Sequence, residues 1–230
     1  MLQGNETLPS VPLRPAPWDL QGQGWIFALK LPEGAPARND FLPEEFAGQG
    51  RGVSLLMFVD YRHSDCGPYH ELLFIPGAYP FSDGRRHMTI SRILVSTWDS
   101  VVNGRRNWGI PKDRADFDVS YNEDQRGIDH VVVRDGNRVM ADLKMKSWPL
   151  PLPVFGGIVP EAMRTLAQRF GSDDFYYAPS SRGWVRPGKL LSWQFDPALF
   201  PDLAGSRVLA AVRISSFRMT FPVSRTLPAT

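Results

Sequence analysis

A chain of 230 residues suits one large β domain or two small ones, and with 43% hydrophobic and 22% charged residues neither disorder nor a coiled coil fits. The net charge of +2 is spread along the chain and makes no case for nucleic acid; the densest basic spots, Arg85-Arg86 and Arg105-Arg106, read as solvated surface. The single cysteine, Cys66, excludes an internal disulfide and a cysteine-based metal site.

Residues 1–17 carry four prolines and little periodicity, and predict an extended arm lying on the surface or on a neighbouring subunit. They hold no apolar core or basic stretch of the signal-peptide kind, and no apolar run nears the roughly 18–20 residues that span a bilayer. The expectation is a cytoplasmic protein with no membrane partner. A glycine-rich turn at Gly22 and Gly24 precedes a predicted strand over Trp25–Leu31. Residues 32–50 read as loop with one helical turn at Pro43–Phe46.

Three dense strand signals follow, Gly52–Tyr61, Tyr69–Ile75 and Met88–Ser96, each rich in β-branched, aliphatic and aromatic residues. Residues 97–104 predict a short helix capped by Thr97 and stopped by Gly104. Asp135-Gly136 between alternating runs (His130–Arg134 and Val139–Met145) is a strong hairpin signal. Residues 147–160 read as a Pro/Gly-punctuated extended linker. A second helix is predicted over Glu161–Phe170, with Met163, Leu166, Ala167 and Phe170 on one face. Turns and strands complete the chain, ending in Val208–Phe221. With no repeat and no domain-linker signal, residues 1–230 read as one domain.

The familiar nucleotide, P-loop, serine-hydrolase and zinc-protease motifs are absent. The four histidines show no metal-type pairing. His63 and Asp65 read as a polar turn, and no metal or cofactor is implied. Two segments carry more information: Gly67–Gly77 (GPYHELLFIPG) and Gly104–Lys112 (GRRNWGIPK). Together they resemble the acetoacetate decarboxylase family, and the likeness extends to the first strand and to the PVFGG segment. It implies a cone-shaped antiparallel β-barrel with a few short helices, a small carbonyl compound as substrate, and assembly into a homo-oligomer. By the same resemblance Lys112, after Pro111, is the imine-forming lysine and Glu71, in Tyr69-His70-Glu71, is the acidic catalytic group.

The chemistry explains that pairing. A lysine amine adds to a ketone only when unprotonated, and at an ordinary pKa near 10.4 only about one in 2,500 is free at pH 7. Burial or a neighbouring cation makes such a lysine reactive, as in acetoacetate decarboxylase itself. The imine then acts as an electron sink, and a nearby carboxyl moves the protons. Gln23, Tyr69, Arg105, Trp108, Trp148 and Phe155 are the candidate substrate contacts. Arg105 reads equally as a structural group at a helix end, and the aromatics as barrel packing.

Three positions depart from the family pattern. Asp113 stands where the decarboxylases carry a second lysine, Gln23 where they carry a carboxylate-holding arginine, and a second family glutamate is replaced near Leu56. Decarboxylation is therefore expected to be poor, and aldolase or dehydratase chemistry on a carbonyl or 2-oxo acid is favoured. Arg62, Arg85 and Arg105 are alternative anchors for a carboxylate. The rival readings are a carrier that binds an apolar ligand without catalysis, and an isomerase or cyclase that uses Glu71 without an imine.

Overall fold

The computed structural model describes residues 8–123, 127–155 and 164–229. In chain order the strands are β1 (Trp18–Lys30), β2 (Ser54–His63), β3 (Tyr69–Ile75), β4 (Gly77–Pro80), β5 (Arg86–Thr89) and β6 (Arg92–Val95). Helix α1 (Trp98–Trp108) and strands β7 (Lys112–Arg114), β8 (Asp116–Glu123), β9 (Ile128–Asp135) and β10 (Arg138–Ser147) come next. The last are β11 (Leu152–Phe155), β12 (Leu166–Phe170), β13 (Asp173–Tyr177), β14 (Ser180–Phe195), β15 (Arg207–Phe221) and β16 (Arg225–Pro228). Eleven strands make one sheet in the order β7-β6-β3-β2-β1-β15-β14-β10-β9-β8, with β11 also on β14. The sheet curls into a nearly closed barrel, as expected. A smaller sheet, β16-β13-β12-β5-β4, flanks it.

Strict alternation along β1, β2 and β3 gives each of these strands two apolar faces. Trp25, Phe27, Leu56, Phe58, Leu72 and Phe74 bury themselves in one core with β9 and β10. Trp18, Leu20, Val59, Tyr61, Tyr69 and Leu73 belong to a second, which α1 helps to cover. The functional cavity lies on that second face.

The sequence-based turn at Gly22 and Gly24 is instead the middle of β1. A Cβ on Gly22 would stand 2.1 Å from the Asp60 carbonyl oxygen, and one on Gly24 would stand 2.2 Å from that of Phe58. The glycines thus admit close approach by β2 rather than turning the chain. Met88–Ser96 is split: β5 joins the small sheet and β6 the barrel, with Ser91 N–H donating to Phe74 O between them. The hairpin is found at the expected Asp135-Gly136, with Gly136 at φ 54°.

Helix α1 begins as expected, with the Thr97 side chain accepting from Ser100 N–H. It runs past Gly104 and ends at Gly109, whose φ of 62° and N–H bond to Arg105 O form the C-terminal cap. The second predicted helix is overturned over Leu166–Phe170, which is β12, antiparallel to β13; residues 161–163 lie outside the described residues. A short apolar run fits either period, and the available strand partner decided it. Residues 8–17 lie on the chain's own α1: Arg14 N–H donates to Asn103 Oδ1, and Asn103 Nδ2 to Pro12 O. The described part of the arm thus takes the first of its two expected places, the surface of its own chain.

Candidate active site

The second face opens into a cavity of about 580 Å³. Its floor is set by register. Val212, Ile26, Met57, Leu73 and Ile93 sit side by side across β15, β1, β2, β3 and β6, and Lys112 on β7 ends the row. One row over, Glu71 pairs with Val59 and Val95, and beyond it Tyr61 faces Tyr69. The polar groups therefore gather at one end of an otherwise aliphatic floor.

Lys112 is 3% exposed and Glu71 4%. Lys112 Nζ donates to Glu71 Oε2 at 2.8 Å and to Ser100 Oγ at 3.0 Å. Tyr61 OH donates to the other carboxylate oxygen, Oε1, at 3.1 Å. Nζ also stands 5.1 Å from the centre of the Tyr69 ring, a cation–π distance. Burial, and then the Glu71 carboxylate, push both tyrosine hydroxyls well above their ordinary range, so they stay neutral donors. Glu71 thus has one oxygen held by a fixed donor and the other against the amine, which suits a group that passes protons to and from Nζ.

Lys112 is aimed by its neighbours. Arg105 Nε donates to Lys112 O at 2.9 Å, and its Nη2 to Asp113 Oδ1 at 2.8 Å; Arg92 pairs with the other oxygen of Asp113. Asp113 points away from the cavity, as alternation along a strand requires. Its carboxylate is neutralised by two guanidinium groups, so Asp113 gives no ground for expecting poor decarboxylation. Gly104 explains its place inside α1: a Cβ there would come within 2.7 Å of Lys112 Cδ and 2.8 Å of Cε. The helix forgoes about 1 kcal/mol of propensity at this position so that the lysine can pass. Gly104→Ala is expected to keep the fold but displace the side chain; a shift of about 1 Å costs on the order of 100-fold in rate. Normal covalent trapping at Lys112 in that variant would refute the packing argument.

The other expected contacts divide. Tyr69 and Trp108 line the cavity. Trp108 is fixed by its Nε1 bond to Pro222 O at 2.6 Å and by edge contacts with Trp18 and Phe221. Gln23 does not: it sits on the opposite face of β1, bound to Asp60 Oδ2 and to Arg213. Arg105 does not line the cavity and clamps Lys112 O and Asp113 instead. Trp148 is 50% exposed outside the cavity, and the Phe155 side chain lies outside the described residues. Neither Arg62 nor Arg85 lines the cavity, and Leu56 is buried in the opposite core. The sequence reading missed Tyr61, Ser100 and the packing role of Gly104. Ser100 and Gly104 are four apart, on one helix face; that small-residue pair was the available signal.

The family model described as acetoacetate decarboxylase (ADC) matches residues 12–153, more than half of the chain. The chain belongs to the acetoacetate decarboxylase family. Solved structures of this family share its fold at low identity. The acetoacetate decarboxylase of Legionella pneumophila superposes with a TM-score of 0.67 at 15% identity, covering 99% of this chain and 94% of that one. An acetoacetate decarboxylase-like enzyme from Sphingomonas wittichii RW1 gives 0.67 at 13%, covering 95% of each. The enduracididine biosynthesis enzyme MppR, complexed with the condensation product of pyruvate and imidazole 4-carboxaldehyde, gives 0.59 at 16%, covering 94% of this chain and 91% of its own. No curated protein matches the sequence.

Proposed function

We propose that this member of the acetoacetate decarboxylase family is a lyase that forms an imine between Lys112 and a carbonyl substrate. The observation that carries the reading is the buried contact of Lys112 Nζ with Glu71 Oε2 at 2.8 Å inside a cavity. Glu71 accepts a proton from the amine, Nζ adds to the carbonyl carbon, and Glu71 returns that proton to the alkoxide; it then takes a second proton from Nζ and gives it to the carbinolamine hydroxyl, which leaves as water and leaves the iminium. With a β-hydroxy substrate, Glu71 then removes either the hydroxyl proton, so that Cα–Cβ breaks and the carbonyl fragment leaves, or the α-proton, which it passes to the β-hydroxyl so that water leaves and a conjugated iminium remains. In both cases the electron pair enters the iminium as an enamine.

Aldol-type cleavage or dehydration is favoured over loss of CO₂. Among the described lining residues the basic groups are Lys112, Arg164 and Arg182. Arg164 donates to the carbonyls of Ala178 and Pro179, and Arg182 is exposed at the rim. A carboxylate next to the carbonyl would face Glu71 and aliphatic walls, a costly place for a second anion. The MppR complex with an aldehyde condensation product supports the same reaction class. The apolar walls also favour a second reading, a barrel that binds its ligand without turnover.

Incubation with 2-butanone and borohydride tests the imine. The adduct mass is expected on Lys112 and not on Lys144 or Lys146, which lie on β10; labelling elsewhere would show that the wrong lysine was chosen. Assembly is a separate expectation. Trp148, Leu150, Leu152 and Trp184 are between 47% and 62% exposed around β11 and β14, an apolar surface of the kind subunits cover. Light scattering at micromolar concentration is expected to give at least a dimer, and a monomer would contradict it.

A further inference from the structure

The cavity is far larger than the smallest substrate an imine site needs. At about 30 Å³ per water-sized group, 580 Å³ holds roughly 20 of them. Acetone has four heavy atoms and pyruvate six, and either would leave most of the space empty. The form of the space matters as much as its size. Along β2 and β3 the polar end is Tyr61, Tyr69 and Glu71, and the cavity face then continues through Leu73 to Ile75, with Met57 and Leu55 opposite. Four residues of strand extend about 13 Å. Over that length the floor offers a ligand no hydrogen-bonding side chain, while Met88 and Ile90 add further apolar walls. A space of this size with largely aliphatic and aromatic walls is costly to leave to water and favours an apolar ligand.

We propose that the substrate is a carbonyl compound bearing an unbranched apolar chain, its carbonyl carbon at Lys112 Nζ and its chain lying along the Leu73–Ile75 and Met57–Leu55 floor. The proposal rests on the imine reading for the placement of the carbonyl, and on the cavity alone for the chain. Each methylene buried on that floor strengthens binding by about two- to fourfold. The gain continues until the chain reaches the end of the cavity.

The experiment is borohydride trapping of the intact protein with 2-butanone, 2-hexanone, 2-octanone and 2-decanone. The ketone concentration that gives half-maximal labelling of Lys112 is read for each. Nζ bonds to the carbonyl carbon, water leaves, and hydride from borohydride reduces the C=N bond to a secondary amine. From 2-butanone to 2-decanone, at twofold or more per methylene, half-labelling is expected to fall by at least about fiftyfold. Equal or rising values along the series would overturn the proposal while leaving the imine reading intact. Quenching of tryptophan fluorescence by 2-decanol, which cannot form an imine, separates the two claims. Saturable binding of 2-decanol with no adduct from any ketone sinks the imine reading and keeps the chain site; no binding of 2-decanol overturns the chain site. Met57→Trp, which fills the middle of the floor, is expected to lower the ratio of long- to short-ketone labelling by at least tenfold. An unchanged ratio, in protein whose melting temperature is retained, places the chain elsewhere and overturns the assignment.

Discussion

Lys112→Met will abolish ketone trapping and will also destabilise the fold, by about 3–5 kcal/mol. The two effects have one cause. Lys112 and Glu71 are almost wholly buried and satisfy each other at 2.8 Å. Removing one partner of a buried pair leaves the other charge without water or counterion, and that is where the cost arises. The same reasoning predicts rescue. Adding Glu71→Leu to Lys112→Met replaces the pair by apolar groups within an apolar surround, and stability is expected to return to near the parent value or above it. Urea denaturation of the parent, both single variants and the double variant closes the cycle. A double variant no more stable than Lys112→Met alone would show that the pair is not the source of the loss. Trapping stays absent in every chain that lacks Lys112, whatever its stability, so the chemical and structural consequences are separable.

Glu71→Gln will cost the reaction on the order of 10²–10⁴-fold in turnover, the usual contribution of a positioned acid–base group. Glutamine keeps the size of the side chain and can still offer its one oxygen to Nζ while its NH2 group donates to the Tyr61 hydroxyl oxygen, but it cannot carry a proton between Nζ and the carbinolamine oxygen. Imine formation, which passes through that transfer, will slow. The final extent of borohydride labelling at Lys112 is expected to persist, because the amine and its cavity remain. A pre-steady-state measurement of labelling against time, beside turnover of the preferred β-hydroxy carbonyl substrate, distinguishes slowed proton transfer from a lost site. Full turnover in Glu71→Gln would leave Glu71 with a structural role only.

The sequence by itself determined the elements whose signals are local. Strand β3 has the predicted bounds, the Asp135-Gly136 hairpin forms where its turn chemistry requires, and Thr97 caps the helix that leads to the lysine. The two segments containing Glu71 and Lys112 were singled out by their resemblance to the family, and the fold brings the two side chains into contact. Tertiary structure decided what depends on a partner distant in sequence. Whether residues 166–170 are helix or strand rested on the presence of β13. Whether Gly22 and Gly24 turn the chain or admit a neighbour rested on the approach of β2. The face on which a strand residue points follows from which side of the sheet is covered, and a strand with two apolar faces does not announce it. Gln23 and Glu71 are both buried polar groups in apolar strands, yet only Glu71 faces Lys112. Ser100 and Gly104 show the same limit, for a small residue becomes functional only when another chain segment, here Lys112 on β7, passes against it.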